Sequence, residues 1–160
     1  MSMFLKLKRR TDVGNLAQGD DRVVEGKVVA AREMTVPGTS TKCVFYFHLT
    51  EAWQHGPRGR GRKMWVPQNV RQKCEGFYLE DGTGRVWIAG DGETMDVQGG
   101  VEESGPIGKK GKGRYLARMI RVGDVVRVRG VVDKPRGAEP GDVLVMRPTK
   151  KGVLQIVFRQ

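Results

Sequence analysis

Cysteine and histidine are scarce in this chain: two of each in 160 residues. Cys43 and Cys74 are too few for a disulfide framework, which points to a reducing compartment. Aromatics make up only 7% of the residues, so each one is worth placing individually. No run approaches the roughly 20 apolar residues that span a bilayer. The first ten residues run apolar and then basic, the reverse of a secretory signal, so a cytoplasmic protein without a transmembrane segment is expected.

Reaction signatures are also missing. There is no Gly-x-Ser-x-Gly and no His-Glu-x-x-His. Two Cys and two His make the right tally for tetrahedral zinc, but the spacing is wrong. Strand alternation through Cys43 and His48 puts them on opposite faces, which makes Cys43 a small core residue. Gly105 to Gly113 is rich in Gly and Lys but lacks the glycine spacing and the Ser or Thr of a P-loop. Its Gly108-Lys109-Lys110-Gly111 matches the KH-type Gly-x-x-Gly loop without the two flanking helices. The expectation is a non-enzymatic protein with no metal and no cofactor.

What the chain has in abundance is glycine (23 residues) and positive charge, 29 Lys and Arg against 18 Asp and Glu. A formal net charge of +11 favours polyanionic partners, although a merely base-rich surface has the same composition. Residues 1–21 read as an N-terminal extension and 22–160 as one domain. Val23 to Arg32 and Lys42 to Trp53 read as strands, with Gly26 marking a bulge or a close backbone approach. Phe77 to Ile88 reads as a hairpin around Asp81-Gly82-Thr83-Gly84, whose glycines would supply positive φ. Asp81 is there for turn geometry rather than catalysis.

Residues 55–63 and 89–113 read as long basic or Gly-rich loops, with Met64 to Val66 as a short strand between them. Arg114 to Arg121 suggests a short helix, with Tyr115, Leu116, Met119 and Ile120 on one side. Val125 to Val132 is another strand, and Val143 to Met146 with Val153 to Phe158 make a second hairpin. The sum is an all-β, OB-like, partly closed Greek-key barrel of about six or seven strands with at most one short helix.

The two basic loops are the candidate site. Arg58, Arg60, Arg62 and Lys63 come from the first, and Lys109, Lys110, Lys112 and Arg114 from the second. Trp53 and Trp65 beside the Arg-Gly loop are candidates to stack bases while the cations hold phosphates. Phe45, Phe47 and Phe77 belong to the core. The expected partner is single-stranded DNA or RNA, or another polyanion.

Four motifs recur in order: Val24 to Val29, Lys42-Cys43-Val44-Phe45-Tyr46, Gly76 to Val86, and Val122 to Gly130. Together they resemble the GIDE domain, the "beside a membrane" module of the mitochondrial ubiquitin-ligase family and its prokaryotic relatives. That resemblance implies an OB-like module that binds protein partners, either within a larger assembly or docked beside a membrane. The sequence carries no cysteine-rich RING segment, so ligase activity is not implied. The Leu79 to Gly84 turn and the Gly123 to Gly130 strand are also similar to OB barrels of the replication protein A type.

Overall fold

The computed structural model describes residues 9–30, 32–56, 61–91, 94–108 and 110–159. Among the described residues, thirteen strands carry the fold. In chain order they are β1 (Asp21–Val29), β2 (Met34–Thr35), β3 (Lys42–Cys43), β4 (Phe45–His55), β5 (Lys63–Cys74), β6 (Phe77–Asp81) and β7 (Gly84–Ile88), followed by β8 (Met95–Gln98), β9 (Val101–Ile107), β10 (Gly113–Ile120), β11 (Val125–Asp133), β12 (Val145–Arg147) and β13 (Leu154–Phe158). One turn of 3-10 helix, Val13–Asn15, precedes β1.

Five of these strands close a barrel in the order β1-β6-β7-β12-β11, with β11 pairing back onto β1. All of those pairings are antiparallel except β7 with β12, which is parallel. This is an OB-like barrel. Val24, Val28, Phe77, Leu79, Val86, Ile88, Val126, Val128 and Met146 point inward from these strands and are fully buried. Gly26 does mark a close approach, because a Cβ there would sit 2.4 Å from the Glu80 carbonyl oxygen.

The β6–β7 hairpin forms where expected, but for a different reason. Neither Gly82 nor Gly84 has positive φ. The Asp81 carboxylate holds the turn instead. Its Oδ1 accepts from the Thr83 N–H at 2.8 Å and the Thr83 hydroxyl at 2.6 Å. Its Oδ2 accepts from the Val13 N–H at 2.9 Å, while the Gly14 N–H donates to Thr83 Oγ1 at 2.8 Å. The turn thus latches the N-terminal segment onto the barrel, and Val13 and Leu16 join the main core. Val13 and Leu16, ahead of β1, are therefore part of the packed fold and not only of an extension.

Several sequence-based assignments are corrected. The expected helix over 114–121 is β10: Tyr115, Ala117 and Met119 face one side, and Leu116 and Ile120 the other. The apolar run was short enough to fit either period, and pairing on both edges decides for the strand. The expected long loop over 89–113 contains β8 and β9. The sequence hides β9 because its acidic side chains face outward or pair across the sheet, Glu102 with Arg118 at 3.0 Å and Glu103 with the Tyr115 hydroxyl at 3.0 Å. The short strand expected at 64–66 runs to Cys74, as an edge strand whose residues are mostly exposed. The loop expected over 55–63 shrinks to a hairpin connection, since β4 continues through His55 and β5 starts at Lys63. Finally, β12 and β13 do not form a hairpin with each other. They pair with successive halves of one edge of β11.

The insertion between β1 and β6 and the insertion between β7 and β11 join into one sheet, in the order β5-β4-β10-β9. Its base is anchored in the barrel core through Phe45 and Ile120, and the Val44 N–H donates to the Ile120 carbonyl at 2.8 Å. We refer to this sheet as the arm.

On the acid side, buried and paired groups give the fold a pH dependence with one sign. Burial of His48 pushes its pKa below the usual 6.5. The hydrogen bond and charge of Arg127, with Arg10 and Arg159 nearby, hold Glu25 below the usual 4.5. Burial alone would raise Asp81, but the hydrogen bonds from Thr83, Val13 and Gly84 outweigh it and lower it. In each case the unfolded chain takes up protons at a higher pH than the native protein does. Stability is therefore expected to fall as pH drops through the histidine range and more steeply through the carboxylate range. Denaturant midpoints measured across pH check this, and a midpoint constant from neutral pH to below the carboxylate range would contradict it.

Candidate functional site

The end of the arm farthest from the barrel is built by two hairpins side by side. Because β4 pairs with β10, the β4–β5 connection and the β9–β10 connection lie next to each other. Gly113 pairs with Ala52, and the Trp53 N–H donates to the Lys112 carbonyl at 2.7 Å. The two basic segments, 50 residues apart in the chain, are thereby brought to one end of one sheet. Segments 52–66 and 105–114 hold eight of the 29 Lys and Arg residues and none of the 18 Asp and Glu residues.

Of the expected site residues, Trp53, Arg62, Lys63, Trp65, Lys110, Lys112 and Arg114 all fall here; Arg58, Arg60 and Lys109 lie outside the described residues. Trp53 and Trp65 are direct cross-strand partners with ring centroids 5.4 Å apart in an edge-on arrangement. The Arg114 guanidinium lies 4.2 Å from the Trp65 ring centroid and donates to Glu51 Oε1 at 2.8 Å. Glu51, Trp53, Trp65 and Arg114 share one face of the arm. Trp53 is 42% exposed and Trp65 half-buried, so an aromatic surface with a cation beside it faces outward.

Five further aromatics among the described residues are structural. Phe45 and Phe77 are core residues, Phe47 packs against that core, and Tyr46 and Trp87 are buried. Sequence reading passed over Arg71 and Lys73, exposed on β5, and Arg118, on the same face as Arg114. The signal was there, as alternating charge through the polar run 68–73, but an edge strand exposed on both faces lacks the apolar alternation that marks a strand.

Cys43 and His48 were expected on opposite faces, and the structure reverses this. The chain leaves strand pairing at Val44, so Val44 and Phe45 both enter the barrel core while Cys43 and Tyr46 enter a second, smaller cluster. His48 follows Tyr46 on that side and stacks on Tyr115 at 5.7 Å. Among the described residues, no group of three or more His, Cys, Asp or Glu is placed to hold a metal ion. Burial pushes the Cys43 thiol up to about 11 and the Cys74 thiol up to about 12. Both should therefore resist a thiol reagent in the native protein and react once it is unfolded. A colorimetric thiol assay checks this, and rapid native labelling of either cysteine would contradict it.

Among the described residues, no helix is long and apolar enough to cross a membrane. No protein-family model, curated protein or solved structure matches the chain. Fold and site together define an OB-like barrel carrying a basic, tryptophan-bearing β-sheet arm.

Proposed function

We propose that this protein is a non-enzymatic module that binds single-stranded nucleic acid along its arm. The observation that carries this reading is the meeting of two basic hairpin ends, acid-free over 52–66 and 105–114, beside the Trp53–Trp65–Arg114 face. Cations at the tip would hold phosphates, and the outward-facing Trp53 would stack a base. Stacking tolerates any base, so the arm itself would bind with little sequence preference.

Fluorescence anisotropy with a labelled single-stranded oligonucleotide tests the reading. The expected result is tight binding at low salt that a variant with Arg62, Lys63, Lys110 and Lys112 all changed to Ala loses. Trp53→Ala should weaken binding by roughly tenfold, the cost of one lost stacking contact. Equal binding by the wild-type and four-alanine proteins would refute the proposal.

A second reading, a GIDE-like protein-interaction module, draws support from exposed apolar residues on the arm, Val70 at 56% and Met64 at 50%. It predicts one stoichiometric protein partner whose binding is insensitive to the same four substitutions.

A further inference from the structure

We propose that the outer face of the barrel holds a phosphate monoester between Arg127 and Arg159, at a site that does not depend on the arm. The site is built where three guanidiniums meet one carboxylate. Glu25 of β1 and Arg127 of β11 are direct cross-strand partners, and Val157 of β13 lies opposite Arg127 on its other side, so all three share this face. The Arg159 N–H donates to the Val125 carbonyl at 3.1 Å, which seats Arg159 beside β11 just past the end of β13. Arg10 arrives from the segment ahead of β1, bridged to Val23.

The charges of this cluster do not balance. Arg127 Nε donates to Glu25 Oε1 at 2.8 Å, and Arg10 donates to Oε2 at 2.8 Å, so both carboxylate oxygens are engaged. Arg159 stands 4.0 Å from Oε2, too far for a hydrogen bond, and its side chain is 64% exposed. The hydrogen bond from Arg127 holds Glu25 below its usual range despite burial, so the carboxylate is ionised at neutral pH. Asp124, on the rim, is matched in charge by Lys27, which lies opposite Val125. Three guanidiniums less one carboxylate leave two positive charges unmatched.

A cleft of about 620 Å³ opens beside this excess charge, with Arg127 and Arg159 in its lining. Gly99 and Gly100 form part of its wall and contribute no side chain to fill it. Charge and geometry then select the ligand. A phosphate monoester carries about −1.5 to −2 at pH 7, which cancels the excess. A carboxylate or a backbone phosphodiester, with a single charge, cancels only half of it. The terminal oxygens of the monoester also accept from two planar guanidinium forks at once. The phosphate belongs either to a free molecule of nucleotide size or to the phosphorylated end of a strand, and the test separates the two.

Isothermal titration calorimetry of the full chain, at one fixed low ionic strength, uses inorganic phosphate, adenosine 5′-monophosphate, adenosine, and oligothymidine with and without a 5′-phosphate. Inorganic phosphate and the monophosphate are expected to bind at one site, and adenosine is not. Arg159→Ala should weaken both roughly tenfold, the loss of one charge-assisted contact. Arg159→Lys should recover only part of this, because an ammonium keeps the charge without the fork. Arg159 makes no hydrogen bond to Glu25, so its removal leaves the other two ion pairs in place, and circular dichroism confirms that each variant folds. The four-alanine arm variant should bind phosphate as the wild type does. A 5′-phosphate that strengthens oligothymidine binding through Arg159 supports the strand end as the source; monophosphate binding without that gain supports the free molecule. Equal phosphate binding by wild type and Arg159→Ala, loss of it in the arm variant alone, or no phosphate binding by the wild type overturns the site.

Discussion

Affinity for a single-stranded oligonucleotide is expected to fall roughly 10³-fold between 50 and 200 mM salt. The arithmetic starts from the eight cations of segments 52–66 and 105–114. Each phosphate neutralised on a single strand contributes about 0.7 to the slope of log affinity against log salt, so eight give a slope of about −5.6. A fourfold rise in salt then costs roughly 10³ in affinity. The four-alanine variant removes half of these charges, and its slope should shrink in proportion. No other effect foreseen for this protein is as large, because the arm tip concentrates charge with no acid to offset it beyond Glu51, which is occupied by Arg114. Titrations at several salt concentrations measure it. A slope near zero would mean that the arm does not hold a polyanion and would favour a protein partner.

Gly76→Ala is expected to destabilise the fold by about 2–5 kcal/mol, the sum of two penalties. Gly76 has φ +91°, a backbone conformation that costs an L-residue roughly 1–2 kcal/mol. In addition, a Cβ there would lie 2.3 Å from Cζ2 of Trp87. The Trp87 ring cannot move aside freely, because it is 8% exposed and packs edge-on against Tyr78 at 4.9 Å. Overpacking of this kind typically costs about 1–3 kcal/mol. For a domain of this size the loss corresponds to a fall in Tm of roughly 5–15 °C. Gly61→Ala is the control: its φ is +86°, yet no described residue comes within 4 Å of the added Cβ, so the backbone penalty is the one expected. Thermal unfolding of both variants separates the two penalties, and equal losses would show that the contact with Trp87 carries no weight.

Gly76 adopts the positive φ that favours glycine, whereas Gly82 and Gly84 of the turn motif do not. Asp81-Gly82-Thr83-Gly84 correctly located a hairpin, but its glycines are not the residues that need special backbone geometry. Asp81 and Thr83 form the turn by side-chain hydrogen bonds, two of which go to residues nearly 70 positions away. No local pattern contains those partners.

The barrel strands were legible because they alternate. In β11, inward Val126, Val128, Gly130 and Val132 interleave with half-buried Val125, Arg127, Arg129 and Val131. β5 and β9 were not legible, because edge strands exposed to solvent need no apolar alternation, and their hydrogen bonds to β4 and β10 depend on pairing rather than composition. β10 reads as a helix from sequence because Tyr115, Leu116, Met119 and Ile120 satisfy a helical period as well as a β period.

What the sequence by itself determined is the all-β character, the OB-like core and the identity of the charged and tryptophan residues that stand out from it. These follow from local properties: alternation, turn chemistry and net charge. What only the tertiary structure decided is that the two basic segments meet. They belong to insertions in two different barrel connections, and they become neighbours solely through the antiparallel register of β4 with β10. That register is set where Phe45 and Ile120 enter the barrel core together, at the opposite end of the arm from the charges it aligns.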